Sequence, residues 1–159
     1  MKRFFLLLAC SACSAVFFSA SAQHLAVGFM PFEYEKGAYE MQPIFESVLD
    51  KVCEVLEIEP TYMVLIEGHA DIDEGAAEEN EALSLKRAQA VEKYLVGKGV
   101  DLPRLRAIAY GDKLMLKECS AENPCTEEEH AKNRRVALVV KENPYFVAPD
   151  EEPQTLEAE

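Results

Sequence analysis

The chain has 159 residues and a formal net charge of −13, long enough for one domain with a real core and short for two. So acidic a surface repels phosphate backbones and anionic headgroups, so no nucleic-acid partner is expected. A cationic or zwitterionic partner stays open.

Residues 1–22 run from a basic "MKR" through the apolar "FFLLLACSACSAVFF" to "ASA". This order is that of a secretory signal peptide, with cleavage expected between Ala22 and Gln23. "LLAC", ending at Cys10, loosely resembles a lipoprotein cleavage box and makes lipidation of Cys10 or Cys13 the alternative. Only Phe4 to Ala9 precede it, short of the usual ~7–15 apolar residues. No later segment reaches the ~20 apolar residues of a membrane span, so the mature chain is expected to carry no transmembrane segment. Without Lys2 and Arg3 it is two units more negative.

"LAVGFMPFEYE" (25–35) has the content of a strand, interrupted by Gly28 and Pro31. "MQPIFESVLDKVCEVLEI" (41–58) turns to helical period, with Phe45, Val48, Leu49, Val52 and Leu56 at steps of three and four and Pro43 in the first turn. "TYMVLIE" (61–67) is a mostly apolar strand. A second helix is read over roughly Leu83 to Val96, with Ala88, Val91 and Leu95 inward and Gly97 and Gly99 as stop signals. "RLRAIAYG" (104–111) is the next strand. "TEEEHAKN" (126–133) is a short helix that Thr126 can cap, and "RRVALVV" (134–140) is the last strand. The order β-α-β-α-β-α-β predicts an α/β or α+β layer, helices packed on one mixed sheet. From Asn143 to Glu159 the chain is Pro-rich and then acidic, and reads as a flexible tail. The expected divisions are 1–22, 23–142 and 143–159.

Three cysteines follow the signal. Cys119 and Cys125 flank the polar turn "SAENP" and can close it as a disulfide in an oxidising compartment. Cys53, within a helix, is expected to be a buried small hydrophobe.

"GHADIDEG" (68–75), at the exit of the 61–67 strand, gathers a His, two Asp and a Glu. As a calcium loop counted from Asp71 it fails, because glycine arrives fifth and the twelfth position is Ala82. His69 and Asp71, with His130, do not complete a three-ligand metal site, and His69 is expected to hydrogen-bond at the sheet edge. Paired-carboxylate hydrolysis has no support, so no enzyme, metal or cofactor is expected. A third reading adds Arg87 from "NEALSLKRAQAV", placed one turn into the second helix. An acid and an arginine at one rim suit a zwitterion, the carboxylate taking an ammonium and the guanidinium a carboxylate. Such a pocket and a plain Asp71–Arg87 ion pair both remain open on the residues alone.

"IEGHAD", Gly75, "NEALSLKRAQAVEKYL", "YGD" and "NRRVALVV", in that order, resemble the C-terminal domain of outer membrane protein A, found also in peptidoglycan-associated lipoproteins and flagellar stator proteins. The likeness runs from about Phe32 to Val140. It implies a β-α-β-α-β sandwich that binds peptidoglycan without catalysis, by the diaminopimelate residue of the stem peptide. Carried over by motif, Asp71 would meet the ammonium group and Arg87 the carboxylate, both at an exposed rim. Asn80 would shape the pocket from a loop, and Arg134 or Arg135 would line its far wall. Cys119 and Cys125 resemble a pair seen in some members. The likeness also implies a periplasmic location, with the outer membrane and other envelope proteins as further associations. The chain departs from the family in the acid-to-glycine spacing, where Ile72, Asp73 and Glu74 make three residues in place of two. An interaction module that kept the fold and lost the ligand is the other function class.

Overall fold

The structure is a computed structural model describing residues 27–145. The expected signal peptide, Cys10, Cys13 and the tail beyond Tyr145 lie outside the described residues. In chain order come β1 (Val27–Gly28), β2 (Phe32–Glu33), α1 (Pro43–Ile58), β3 (Tyr62–Gly68), α2 (Ala77–Gly97), β4 (Leu105–Ala109), α3 (Glu127–Asn133) and β5 (Arg135–Glu142).

The sheet runs β1-β5-β3-β4, with β2 also on β5. β3 pairs with β4 in parallel and with β5 antiparallel, so the sheet is mixed. The expected first strand is two short pieces, both antiparallel to β5. Gly28 faces Val139 and Phe32 faces Val136, so four steps on one side oppose three on the other. The extra residue lies where Pro31 can offer no N–H to a ladder.

Val64 and Ile66 of β3 and Val136, Leu138 and Val140 of β5 turn one face toward the helices. Phe45, Leu49, Val52 and Leu56 cover that face from α1, and Ala88, Val91 and Leu95 from α2. Phe32 stacks on Phe45 at 4.5 Å between ring centroids, holding β2 to α1. Cys53 is half-buried at the margin of this core and unpaired, less enclosed than the sequence suggests.

Helix α2 begins at Ala77, six residues ahead of the expected Leu83. Its start is fixed by Glu79, which accepts a hydrogen bond from the Ala76 backbone N–H at 2.9 Å. The inward stripe is Asn80, Ser84, Arg87, Ala88, Val91 and Leu95, polar in its first half and apolar in its second. Apolar periodicity registers only the second half. Arg87 therefore lies mid-helix.

Candidate functional site

β3 delivers its exit to α2 by a close approach. A Cβ on Gly68 would lie 2.0 Å from the Ser84 carbonyl oxygen, so only glycine lets the strand end pack on the helix backbone. Ser84 Oγ accepts from the Gly111 N–H at 3.0 Å, and Gly111 O accepts from the Ala70 N–H at 2.8 Å. Gly111 has φ +56°, a left-handed conformation, and a Cβ there would press on Glu81 backbone at 3.2 Å. These glycines and Ser84 position the loop and leave its chemistry to others.

β3 ends at Gly68, and the next N–H, that of His69, still donates to Arg135 O at 2.9 Å. The His69 ring stacks on Tyr110 at 5.2 Å and neither ring nitrogen has a hydrogen bond, so the expected bond at the sheet edge is made by the backbone N–H and not by the ring. Burial, with nearby Arg135 adding to it, pulls the His69 pKa down to about 4, so the ring is neutral at pH 7.

Asp71 is fully buried, and three groups surround its carboxylate. Oδ1 accepts from the Asp73 N–H at 2.9 Å and lies 2.8 Å from His130 Nδ1, while Oδ2 accepts from the Asn133 amide. Asn133 also accepts from the Leu116 and Lys117 N–H groups and donates to Lys117 O. The asparagine of "NRR" thus reaches the acid, and its two arginines do not. Arg134 donates to Tyr34 O and to Glu127; Arg135 donates to Asn133 O and Leu114 O. Asn80 stands within α2, not in a loop, and its amide ties Gly75 O to Asp112.

Arg87 is also fully buried. An exposed rim was expected for both charges; the structure encloses them, because the polar half of the α2 stripe faces inward. Nε donates to Ala38 O, Nη1 to His69 O and Nη2 to Glu35 O, and the guanidinium lies 5.1 Å over the Tyr34 ring. Burial, opposed by the Arg87 charge, raises the Tyr34 hydroxyl pKa to about 12. The two remaining Nη hydrogens take Glu74 in a fork of 2.9 and 2.7 Å. Glu74 Oε2 also accepts from the Asp71 N–H at 2.9 Å, linking Arg87 to the Asp71 backbone through one oxygen. Burial pushes the Glu74 carboxyl upward, and hydrogen bonds from Arg87, Asp71 and Gly37 outweigh it, leaving the group below the usual range. The partner of Arg87 is thus Glu74, not Asp71.

Asp71, Cys119 and His130 place ligand-type atoms within 4.8 Å of one another. Cys119 is bonded to Cys125, so it offers no thiolate, and the group does not fit a metal ion. The disulfide, with Ile72 and His130, lines a cavity of about 330 Å³ on the outer side of His130. Glu74 and Asn133 are the site neighbours that sequence reasoning passed over, and His130, weighed there only as a metal ligand, stands beside the Asp71 carboxylate. Asn133 was within reach, since it stands beside the two arginines chosen.

The sequence model of the OmpA family matches residues 33–134. The chain belongs to the OmpA family. Among relatives, the peptidoglycan-associated lipoprotein of Haemophilus influenzae is 36% identical over 107 residues, covering 67% of this chain and 65% of that protein. Its namesake from Rhizobium meliloti is 40% identical over 95 residues, covering 60% of this chain and 51% of that protein. The chain spans only half to two-thirds of these relatives' lengths. The crystal structure of the peptidoglycan-associated lipoprotein from Burkholderia pseudomallei superimposes with a TM-score of 0.63 at 28% identity, covering 69% of this chain and 88% of that one. Among the described residues no helix is long and apolar enough to cross a membrane.

Proposed function

We propose that this domain binds peptidoglycan non-covalently through the diaminopimelate residue of the stem peptide, as an anchor in the periplasm at the cell wall or outer membrane. The observation that carries this is the joining of Asp71 and Arg87 through one loop: the arginine fork and the Asp71 backbone N–H share Glu74 Oε2. In this reading the ammonium of an amino-acid head group is directed to Asp71 and its carboxylate to Arg87. The rest of the stem peptide, in this reading, lies in the cavity lined by Ile72, His130 and the disulfide. Membership in the family and the likeness to peptidoglycan-associated lipoproteins support the same reading. Binding is the whole of the proposed activity, and Asn80, Arg134 and Arg135 serve it by holding the surrounding backbone. Cosedimentation of the mature protein with purified sacculi tests it: retention of the wild type is expected, and its absence would remove the reading.

One observation favours a second reading. Both charges already have partners within the chain, as an interaction module without ligand affinity would show. Folded protein that leaves sacculi in the supernatant while still capturing envelope proteins would select it.

A further inference from the structure

Arg87 has five N–H hydrogens, and three of them go to backbone carbonyls of Ala38, His69 and Glu35. Those three come from two stretches of backbone, the 35–38 turn and the exit of β3, and hold the guanidinium plane from two sides of the loop. The two hydrogens left over, one on each Nη, point the same way and form a fork for one carboxylate. Glu74 fills it, with both side chains fully buried.

The two partners differ in how they are held. Arg87 projects from the middle of a 21-residue helix. Glu74 sits in the connection between β3 and α2, in a turn closed by its own N–H on Asp71 O at 3.1 Å. That connection is tied to the 36–37 turn by a partly exposed Lys36–Asp73 pair and by the Gly37 N–H on Glu74 Oε1. Exposed pairs of this kind contribute little to stability. The fork is carried by a helix and its occupant by a loop.

Resting on the proposed ligand, we propose that Glu74 is a built-in competitor that sets the affinity and selectivity of this site. Its carboxylate stands where a ligand carboxylate would, and such a ligand binds Arg87 only by displacing it. An intramolecular carboxylate on a short tether acts at an effective concentration of roughly millimolar or above. A simple carboxylate cannot compete with it. A zwitterion can, because its ammonium gains Asp71 as its carboxylate takes the fork. Glu74 is thereby a specificity-determining residue that excludes lone carboxylates.

The experiment compares wild type, Glu74→Ala and Glu74→Gln in two assays. Calorimetric titration with the tripeptide L-alanyl-γ-D-glutamyl-meso-diaminopimelate measures affinity. Thermal melting in sodium acetate against sodium chloride of equal ionic strength reports filling of the fork. Glu74→Ala is expected to bind the tripeptide at least about tenfold more tightly than wild type, with Glu74→Gln between them. Acetate should raise the melting temperature of Glu74→Ala and leave wild type unchanged. If wild type binds the tripeptide and the folded variants bind equally or more weakly, the competitor role is overturned. If Glu74→Ala does not fold, the same comparison is decided on Glu74→Gln, which keeps the shape and loses the charge. If no form binds the tripeptide but acetate stabilises Glu74→Ala alone, the competitor stands and the diaminopimelate reading falls. If acetate has no selective effect and no form binds, both fall.

Discussion

Asn133 donates its side-chain amide to Asp71 across 62 residues of chain, joining the last helix to the loop that leaves β3. The same side chain satisfies the backbone N–H groups of Leu116 and Lys117. Asn133→Ala would leave a buried carboxylate oxygen and two backbone donors short of a partner. The expected loss is about 2 kcal/mol, most of it for the buried carboxylate oxygen, since a buried group left unpaired costs roughly 1–3 kcal/mol. Leu116 and Lys117, both exposed, can turn to water. Urea unfolding of the variant checks this, and an unchanged midpoint would show that water replaces the amide.

Asp71→Asn and Arg87→Lys should each weaken binding of the diaminopimelate tripeptide by roughly one to two orders of magnitude. The double variant should lose less than the sum, because one ligand residue bridges both groups. Burial of both side chains adds a second expectation, a lower melting temperature in each variant. Binding is therefore measured where circular dichroism shows every variant folded. Equal affinity in all of them would refute the pocket.

Two glycines should respond oppositely to alanine. Gly68→Ala forces a methyl group onto the Ser84 carbonyl at 2.0 Å, and a loss of about 3 kcal/mol or failure to fold is expected. Gly97→Ala, at the last residue of α2 with nothing within 4 Å of the new methyl, should gain about 0.5 kcal/mol. Melting curves of the pair test whether the close approach, and not glycine content, governs stability.

His69 gives the fold a pH dependence of known sign. Its folded pKa of about 4 lies below the ordinary 6.5, so its contribution is fully present above pH 6.5. As pH falls from 6.5 toward 4 the unfolded chain takes up a proton that the folded chain refuses, and stability declines. Glu74, with its pKa lowered, adds its own loss only as pH falls below the ordinary 4.5. His69→Phe, which can keep the stacking on Tyr110, should flatten the slope between pH 6.5 and 5. The same slope in variant and wild type would assign it to another group.

Reduction of Cys119–Cys125 should cost about 2 kcal/mol, the chain-entropy value for so short a loop. The bridge borders the cavity beside His130, so tripeptide affinity is expected to fall as well. Melting and titration with and without a reductant measure the two effects.

The layer order, the helix α1 and the strands β3 and β5 were legible because apolar side chains recur at their period. The first six residues of α2 were not, because their one buried side chain, Asn80, is held by hydrogen bonds and not by hydrophobicity. The same blind spot placed Arg87 near a helix start and at an exposed rim. Asp71 and Arg87 were singled out by their residue types and places, motif resemblance chose between pocket and ion pair, and the loop beside them links both through Glu74. Glu74 was noticed only as extra length. Its role depends on the side chain folding back under the loop, which no spacing rule encodes. Asn133 reaches Asp71 through long-range packing, invisible to local pattern, whereas His130 was grouped with Asp71 in the sequence, as a metal ligand and not as a neighbour of its carboxylate.

Strand β5 is hydrogen-bonded to β1 and β2 on one edge and to β3 on the other, although it is the last element of the described chain. A ribosome therefore delivers both outer flanks of the sheet well before the strand that joins them. Until residues 135–142 emerge, β3 has β4 as its sole neighbour and the N-terminal strands have none. Sheet closure, burial of the α1 face against β5 and arrival of Asn133 at Asp71 are thus one event that waits for the last strand. A fragment ending before Arg135 would keep its helices' sequences and lack the means to assemble them, so the quality check on this domain is written into its final strand.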